Sequence, residues 1–201
     1  MTSSAVPAPG EERILVDLAA AGFEVGSLAD LRRSGVRYRG AIPVLLDWLG
    51  RVSDSKVKGE IVRALSVPWA RPAARRPLIE VFRAVDSGVD PSGTGLLWTI
   101  GNALEVLFDD DDFEAFADLA ADRRCAKGRQ MVVLGLGKSK LPQAVDVLLG
   151  LAEDPDVDGH AVKALGRLGA AATRGAFESK LGDSRAWVRS EARKGLKKLS
   201  G

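Results

Sequence analysis

The chain has 201 residues, of which 46% are hydrophobic and 28% charged, and its formal net charge is +2. This is the size of one ordinary domain, and the apolar fraction excludes a generally disordered chain. Aromatic residues make up only 5%, so we expect a core of Leu, Val, Ile and Ala, which is typical of helical proteins. The single cysteine, Cys125, excludes an intramolecular disulfide framework and cannot form a zinc site by itself.

The N-terminal part precedes the regular pattern of the chain. Residues 1–10 are rich in Pro and Ala and are expected to be a disordered tail. They lack the basic and apolar regions of a signal peptide, and no later stretch approaches the roughly 18 apolar residues that a membrane-spanning helix needs. We therefore expect a cytoplasmic protein with no membrane association. Residues 11–40 are predicted to form a helical cap, with a capping box at Ser27–Asp30.

An internal repeat follows the cap. A shared pattern begins at five positions, the last four of them about 31 residues apart: Val57, Leu96, Ala126, Val157 and Val188. Counted from its start, the pattern is apolar at zero, mostly small or apolar at +4, mostly small at +7, and always Leu at +8. These slots share one face of a helix. The five leucines are Leu65, Leu104, Leu134, Leu165 and Leu196, and we expect them to be nearly buried.

Each patterned helix is preceded by another apolar-periodic stretch. These stretches are 42–51, 74–85, 113–121, 142–152 and 173–181. The pattern predicts five antiparallel pairs, each an A helix followed by a B helix. Neither helix can bury its apolar face alone, so neighbouring pairs must stack.

Three strings carry a family resemblance: Ala41–Leu46, Asp154–Val157 and Trp187–Ala192. They resemble HEAT repeats, in the short bacterial form also found in bilin-lyase-like proteins, over about residues 41–199. The resemblance implies an all-α fold, a right-handed α-solenoid of about five helix pairs, with residues 41–201 continuing the N-terminal cap as one domain. It implies little about function, because HEAT arrays occur in scaffolds, adaptors, lyases and repair proteins.

In this kind of solenoid the B helices usually line the concave side. The face opposite the apolar stripe lies near +6, flanked by +2, +3 and +10. The residues predicted to bind a partner from these slots are Trp98, Asn102, Arg129, His160, Lys163, Arg167 and Lys194. Trp and Arg often dominate binding surfaces, and a histidine near its titration range would add weak pH dependence.

Structural roles remain open for several of these residues. Trp98 could cover a gap beside the 87–94 loop, and Asn102 could bridge neighbouring B helices. Arg129 and His160 share a slot on consecutive repeats and could form an inter-repeat polar contact. Gln130 falls in a normally buried slot, so either it hydrogen-bonds inside the stack or the repeat is distorted there.

Charge is segregated along the chain. Residues 105–122 contain eight acids and no base, whereas residues 163–198 contain ten bases and three acids. Such polarity can steer a partner. Both segments also have simpler explanations: acids are favourable at helix starts, and the basic C-terminal end can serve solubility alone.

The sequence favours a non-enzymatic scaffold or adaptor that binds another protein, as a monomer or weak homo-oligomer. One His and one Cys offer no recurring catalytic constellation, no metal-ligand spacing is present, and no cofactor is predicted. The alternative is a nucleic-acid-binding protein similar to DNA-repair HEAT proteins. It would stack a base on Trp98 and bind phosphates with Lys163, Arg167, Lys194 and Lys198.

Overall fold

The computed structural model describes residues 10–86, 88 and 90–200, and these residues form twelve α-helices and no strand. The cap contains α1 (Glu12–Ala20) and α2 (Leu28–Arg33). The A helices are α3 (Ile42–Arg51), α5 (Arg71–Ala84), α7 (Phe113–Ala121), α9 (Gln143–Leu151) and α11 (Arg174–Ser179). The B helices are α4 (Ser55–Leu65), α6 (Leu96–Leu107), α8 (Gln130–Leu136), α10 (Asp158–Leu168) and α12 (Ala186–Leu199). The predicted all-α fold is confirmed. The predicted disordered tail, residues 1–10, lies outside the described residues except for Gly10.

The helices stack in two rows. The B helices α4, α6, α8, α10 and α12 each contact the next, and α1, α3, α5, α7 and α9 form the second row in the same way. Helix α2 packs on α4, so the cap supplies a further pair at the start of both rows. Contact between sequential neighbours defines an α-solenoid. The division of the chain into tail, cap and solenoid stays a prediction.

Small residues set the distance between B helices. A Cβ on Gly101 of α6 would lie 2.8 Å from the carbonyl oxygen of Gly128, and a Cβ on Gly137 would lie 2.8 Å from the Cα of Ala164 in α10. No side chain fits at such distances without a shift of the backbone. Because the B helices approach so closely, they bury their sides against each other in addition to the apolar face that packs on the A helices.

Four of the five signature leucines are buried, as predicted. Leu65, Leu104 and Leu165 have no exposed surface and Leu134 has little. The prediction is wrong for Leu196, which is half-buried. Helix α12 contacts α10 and α11, and no further helix pair of the described residues covers its other side.

The third repeat departs from the predicted register. Its buried residues include Cys125, Arg129, Val132, Val133 and Leu136, which reproduce the 0, +4, +7, +8 and +11 slots when Cys125 is the start, and Leu134 is buried beside them. The predicted start, Ala126, is therefore one residue too late. Residues 123–129 form a 3-10 segment in which Ala126 has φ 41° and ψ −128°. It is the single non-glycine residue of the described chain with positive φ, so the regular B helix begins only at Gln130.

None of the helices that the structure describes combines the length and apolar character needed to cross a bilayer.

Candidate binding groove

A groove of about 1060 Å³ opens between α2, α4, α6 and the 90–95 loop. We call it the N-terminal groove. The side chains of its wall that carry the argument below are Arg32, Arg33, Lys56, Glu60, Arg63 and Trp98. Trp98 is 39% exposed, which is high for an indole. Asn102, one helical turn further along α6, also lines the groove. The structure thus brings these two predicted site residues together.

Side-chain caps, two of them carboxylates, fix the helix starts that border the groove. The Ser27 hydroxyl accepts a hydrogen bond from the backbone N–H of Asp30, so the predicted cap of α2 is confirmed. Asp54 accepts from the N–H groups of Lys56 and Val57 at the start of α4. Asp90, which is nearly buried, accepts from the N–H groups of Gly95 and Leu97 before α6. The carboxylates of Asp54 and Asp90 offset the positive ends of α4 and α6, so the charge of the groove depends mainly on its other side chains.

The groove carries a surplus of positive charge. Glu60 is bridged by two guanidinium groups, Arg32 at 2.5 Å and Arg63 at 2.7 Å. Partial burial opposes ionisation of Glu60, but these two arginines outweigh it and lower its pKa. Arg33 and Lys56 are exposed and form no ion pair within the described part of the chain. The lining also contains two buried acids, Glu11 and Asp90, which accept hydrogen bonds from backbone N–H groups, so four bases face three acids in the groove as a whole.

Sequence reasoning missed most of these cations. Arg32 and Arg33 belong to α2, which lacks the repeat signature, and Lys56 precedes the patterned residues of α4. The consecutive arginines at the end of α2 were the available signal. Only the packing of α2 on α4 places them beside Trp98 of α6.

Arg129 does not face the groove, so its prediction as a partner-binding residue is wrong. Its side chain has no exposed surface. The guanidinium donates to the carbonyl oxygens of Ala120 and Ala126 and to the carboxylate of Asp154, each at 3.0 Å. The physical reason is the register shift, which moves Arg129 into the buried +4 slot.

His160 lies on α10 as predicted and is partly covered by the next repeat. Its ring is half-buried and packs edge-to-face on Trp187, with ring centres 5.2 Å apart. Burial lowers the pKa of His160 to about 4, the charges of Lys163 and Arg185 act in the same direction, and Asp158 opposes them. The predicted pH dependence near neutrality is therefore wrong, because the ring is uncharged there.

The cations of the C-terminal B helices mostly bind neighbouring repeats. Arg167 donates to the carbonyl of Leu134 and to Glu105, and Lys198 donates to the carbonyls of Gly166 and Arg167. Lys138 likewise donates to the carbonyl of Glu105. Apart from the pair of Arg167 with the Glu105 carboxylate, these interactions satisfy carbonyls near the C-terminal end of the preceding B helix, where cations are favoured.

The remaining two predicted residues lie along α10 and α12. Lys163 is half-buried, and Lys194 is exposed and paired with Glu191 at 2.8 Å. Because Arg167 and Lys198 are also engaged, the basic strip predicted for nucleic acid is largely occupied by contacts within the chain. Neither residue lines the N-terminal groove.

The acidic segment around Asp109–Asp112 joins repeats. Arg75 and Arg76 of α5 pair with Asp112, while Asp110 accepts hydrogen bonds from the Ser139 hydroxyl and the Lys140 N–H. Burial opposes ionisation of Asp112, but its hydrogen bond from Arg75 prevails and lowers its pKa. Within the described residues, no group of three or more His, Cys, Asp or Glu could hold a metal ion.

Gln130 combines both structural alternatives. Its amide nitrogen donates to the carbonyl of Asp156 at 2.9 Å, and the preceding turn is distorted at Ala126. The side chain therefore links the third and fourth repeats.

The stacked helix pairs define the class of the protein as an α-solenoid. Residues 113–197, which begin with α7 and end within α12, match the family model of HEAT repeats. This confirms the predicted resemblance for the C-terminal repeats. The N-terminal groove lies before the matched residues. No curated protein matches the chain.

Proposed function

We propose that the chain is a non-enzymatic binding module that receives a protein partner in the N-terminal groove. HEAT repeats generally mediate protein interactions. The observation that carries the proposal is Trp98, a large side chain left 39% exposed in the wall of a 1060 Å³ groove. Tryptophan in a desolvated pocket is among the commonest dominant contacts of protein interfaces.

The groove has the composition of a recognition surface. Trp98 supplies apolar area, and Asn102, which lines the groove beside it, has a side-chain amide with no hydrogen-bond partner within the described part of the chain. An amide can both donate and accept, so Asn102 suits a backbone peptide group of a partner. The predicted roles of Trp98 and Asn102 in binding are kept in this proposal.

The chemistry of the candidate nucleophile and base favours binding over catalysis. Burial raises the pKa of the Cys125 thiol, which disfavours the reactive thiolate. His160 packs against Trp187, away from the groove. The groove itself is lined mainly by charged side chains and by side chains that can form hydrogen bonds. A cytoplasmic location and a monomeric or weakly associating state stay part of the proposal.

Site-specific photo-crosslinking in the source cell tests the proposal. A photoreactive residue would replace Thr99, which lines the groove beside Trp98, and in a matched chain it would replace exposed Glu114 of α7. A protein trapped from position 99 and absent from position 114 is the expected result. The purified partner should then bind the Trp98→Ala chain at least about tenfold more weakly, as for a dominant interface residue. Identical products at both positions, or unchanged affinity, would contradict the proposal.

A further inference from the structure

We infer that the N-terminal groove takes an acidic segment of its partner, an extended peptide whose carboxylates flank one apolar side chain. The inference rests on the proposed function and names the chemistry of the partner. It depends on two observations: the cation surplus of the groove and an apolar recess that adjoins it.

The charge argument compares the groups that face solvent. Arg32 and Arg63 share one carboxylate, that of Glu60. Arg33 and Lys56 add two further positive charges with no acidic partner in the described residues. Guanidinium groups bind carboxylates in a fork geometry, and a surplus of cations in a concave site strengthens the local potential. The complement of this groove is a segment that carries several Asp or Glu residues.

The groove combines its positive charge with an apolar contact surface. Trp98 lies on α6, the cations lie on α2 and α4, and all of them line the same groove. An indole face accommodates the methylene groups of Glu or an apolar residue, while the carboxylates reach the arginines. The two arginines that bind Glu60 disfavour a partner of uniformly positive charge.

An apolar recess of about 420 Å³ shares Ser55, Val85 and Leu96 with the groove. Leu49, Val81 and Ala84 complete the apolar part of its lining, and Lys58, Glu80 and Asp86 form a charged part. The two cavities are therefore contiguous along the starts of α4 and α6. A peptide in the groove can place one Leu-sized side chain in the recess, which fixes its register.

Fluorescence anisotropy with synthetic peptides tests the inference. The probe is a dye-labelled, end-blocked peptide of glutamates around a central leucine. Control peptides carry Gln or Lys in place of Glu, or Ser in place of the leucine, and a single-stranded oligodeoxynucleotide of equal length controls for anion binding. The Glu peptide should bind, weaken steeply as salt rises, and lose at least about tenfold in affinity with Gln in place of Glu.

Two double variants separate a local effect from a global one. Arg33→Glu with Lys56→Glu should weaken the Glu peptide at least about tenfold, because reversal of charge replaces attraction by repulsion. Arg193→Glu with Lys197→Glu changes the net charge equally at exposed positions of α12 and should leave the affinity unchanged.

A single variant tests the recess. Ala84→Gln, which narrows the recess, should weaken binding of the leucine peptide and leave binding of the serine peptide unchanged.

The outcomes also distinguish this inference from the function on which it rests. Equal loss in both double variants, or binding of the Lys peptide or oligonucleotide as tight as that of the Glu peptide, would overturn the acidic occupant. Equal affinity of the leucine and serine peptides would overturn the apolar anchor. If Trp98→Ala weakens the crosslinked partner while charge reversal at Arg33 and Lys56 does not, the groove binds a protein and the acidic preference is wrong. If neither change weakens that partner, the groove itself is not the binding site.

Discussion

Arg129 and Asp154 form a buried ion pair between the third and fourth repeats. The guanidinium lies 3.0 Å from the carboxylate, and the two side chains are 0% and 7% exposed. Burial opposes ionisation of Asp154, but the hydrogen bond from Arg129 prevails and lowers its pKa. The same guanidinium also binds the carbonyl of Ala120 at the end of α7, so a single side chain connects three segments.

Loss of one partner of this pair should be costly. Arg129→Met is expected to lower the free energy of unfolding by up to about 3–5 kcal/mol, because it leaves the buried carboxylate of Asp154 with only the exposed Arg123 as ion-pair partner and removes the donor of two carbonyls. Urea denaturation would measure the loss. The double variant Arg129→Met, Asp154→Leu should lose less than the single variant. Arg124→Ala, which removes an exposed pair with Asp122, is the matched control and should change stability little. A single variant as stable as this control would contradict the structural role.

The signature leucines should differ in importance along the solenoid. Leu165→Ala is expected to cost about 2–5 kcal/mol, as for other large-to-small changes in a packed core. Leu196→Ala should cost clearly less, because Leu196 is half-buried. Chemical denaturation of both variants gives the comparison.

The loss caused by Leu165→Ala should also be local. Repeats contact their neighbours, so hydrogen exchange in that variant should rise most from about residue 126 to the C-terminal end. A uniform rise over the whole chain would contradict the nearest-neighbour architecture.

Two glycines in helices test the close approach of the B helices. Gly101→Ala places a methyl group 2.8 Å from the carbonyl oxygen of Gly128, so we expect a net loss of about 1–3 kcal/mol from overpacking. Gly150→Ala in α9 meets nothing within 4 Å and should gain up to about 1 kcal/mol from helix propensity. Thermal unfolding monitored by circular dichroism separates the two. A stabilised Gly101→Ala chain would show that α6 and the 123–129 segment do not pack as closely as described.

His160 should make stability depend on pH in the acid range. Its folded pKa of about 4 lies below the ordinary value of 6.5, so between these values the unfolded chain binds more protons than the folded chain. Stability is then full above about pH 6.5 and falls as pH is lowered towards 4. Allowing for solvent screening of the partly exposed ring, the loss is about 1–2 kcal/mol.

Urea titrations at several pH values would measure this loss, with His160→Gln as the control without a titrating ring. The difference between the two chains should change over this window and be constant near pH 7 to 8. A difference independent of pH throughout would contradict the burial of the ring.

The sequence by itself determined the helices and their order. Apolar residues at helical spacing, recurring about every 31 residues, fixed the A and B helices within a few residues of their observed bounds, since this spacing depends only on helix geometry. Local capping was equally accessible: Ser27 and Asp54 cap helices through neighbours two or three residues away. The burial of Leu65 and Leu165 followed from the same pattern.

Tertiary structure alone decided which polar side chains face solvent. At Ala126 a positive φ shifts the register by one residue, and this rotates Arg129 from the predicted strip into the core. Trp187 of the next repeat covers His160, and Lys198 reaches the carbonyls that end α10. The groove beside Trp98 depends on α2, which has no repeat signature and is placed by its packing on α4. A helical pattern specifies which face is apolar, whereas the use of the polar face depends on residues that are distant in sequence and adjacent only after stacking.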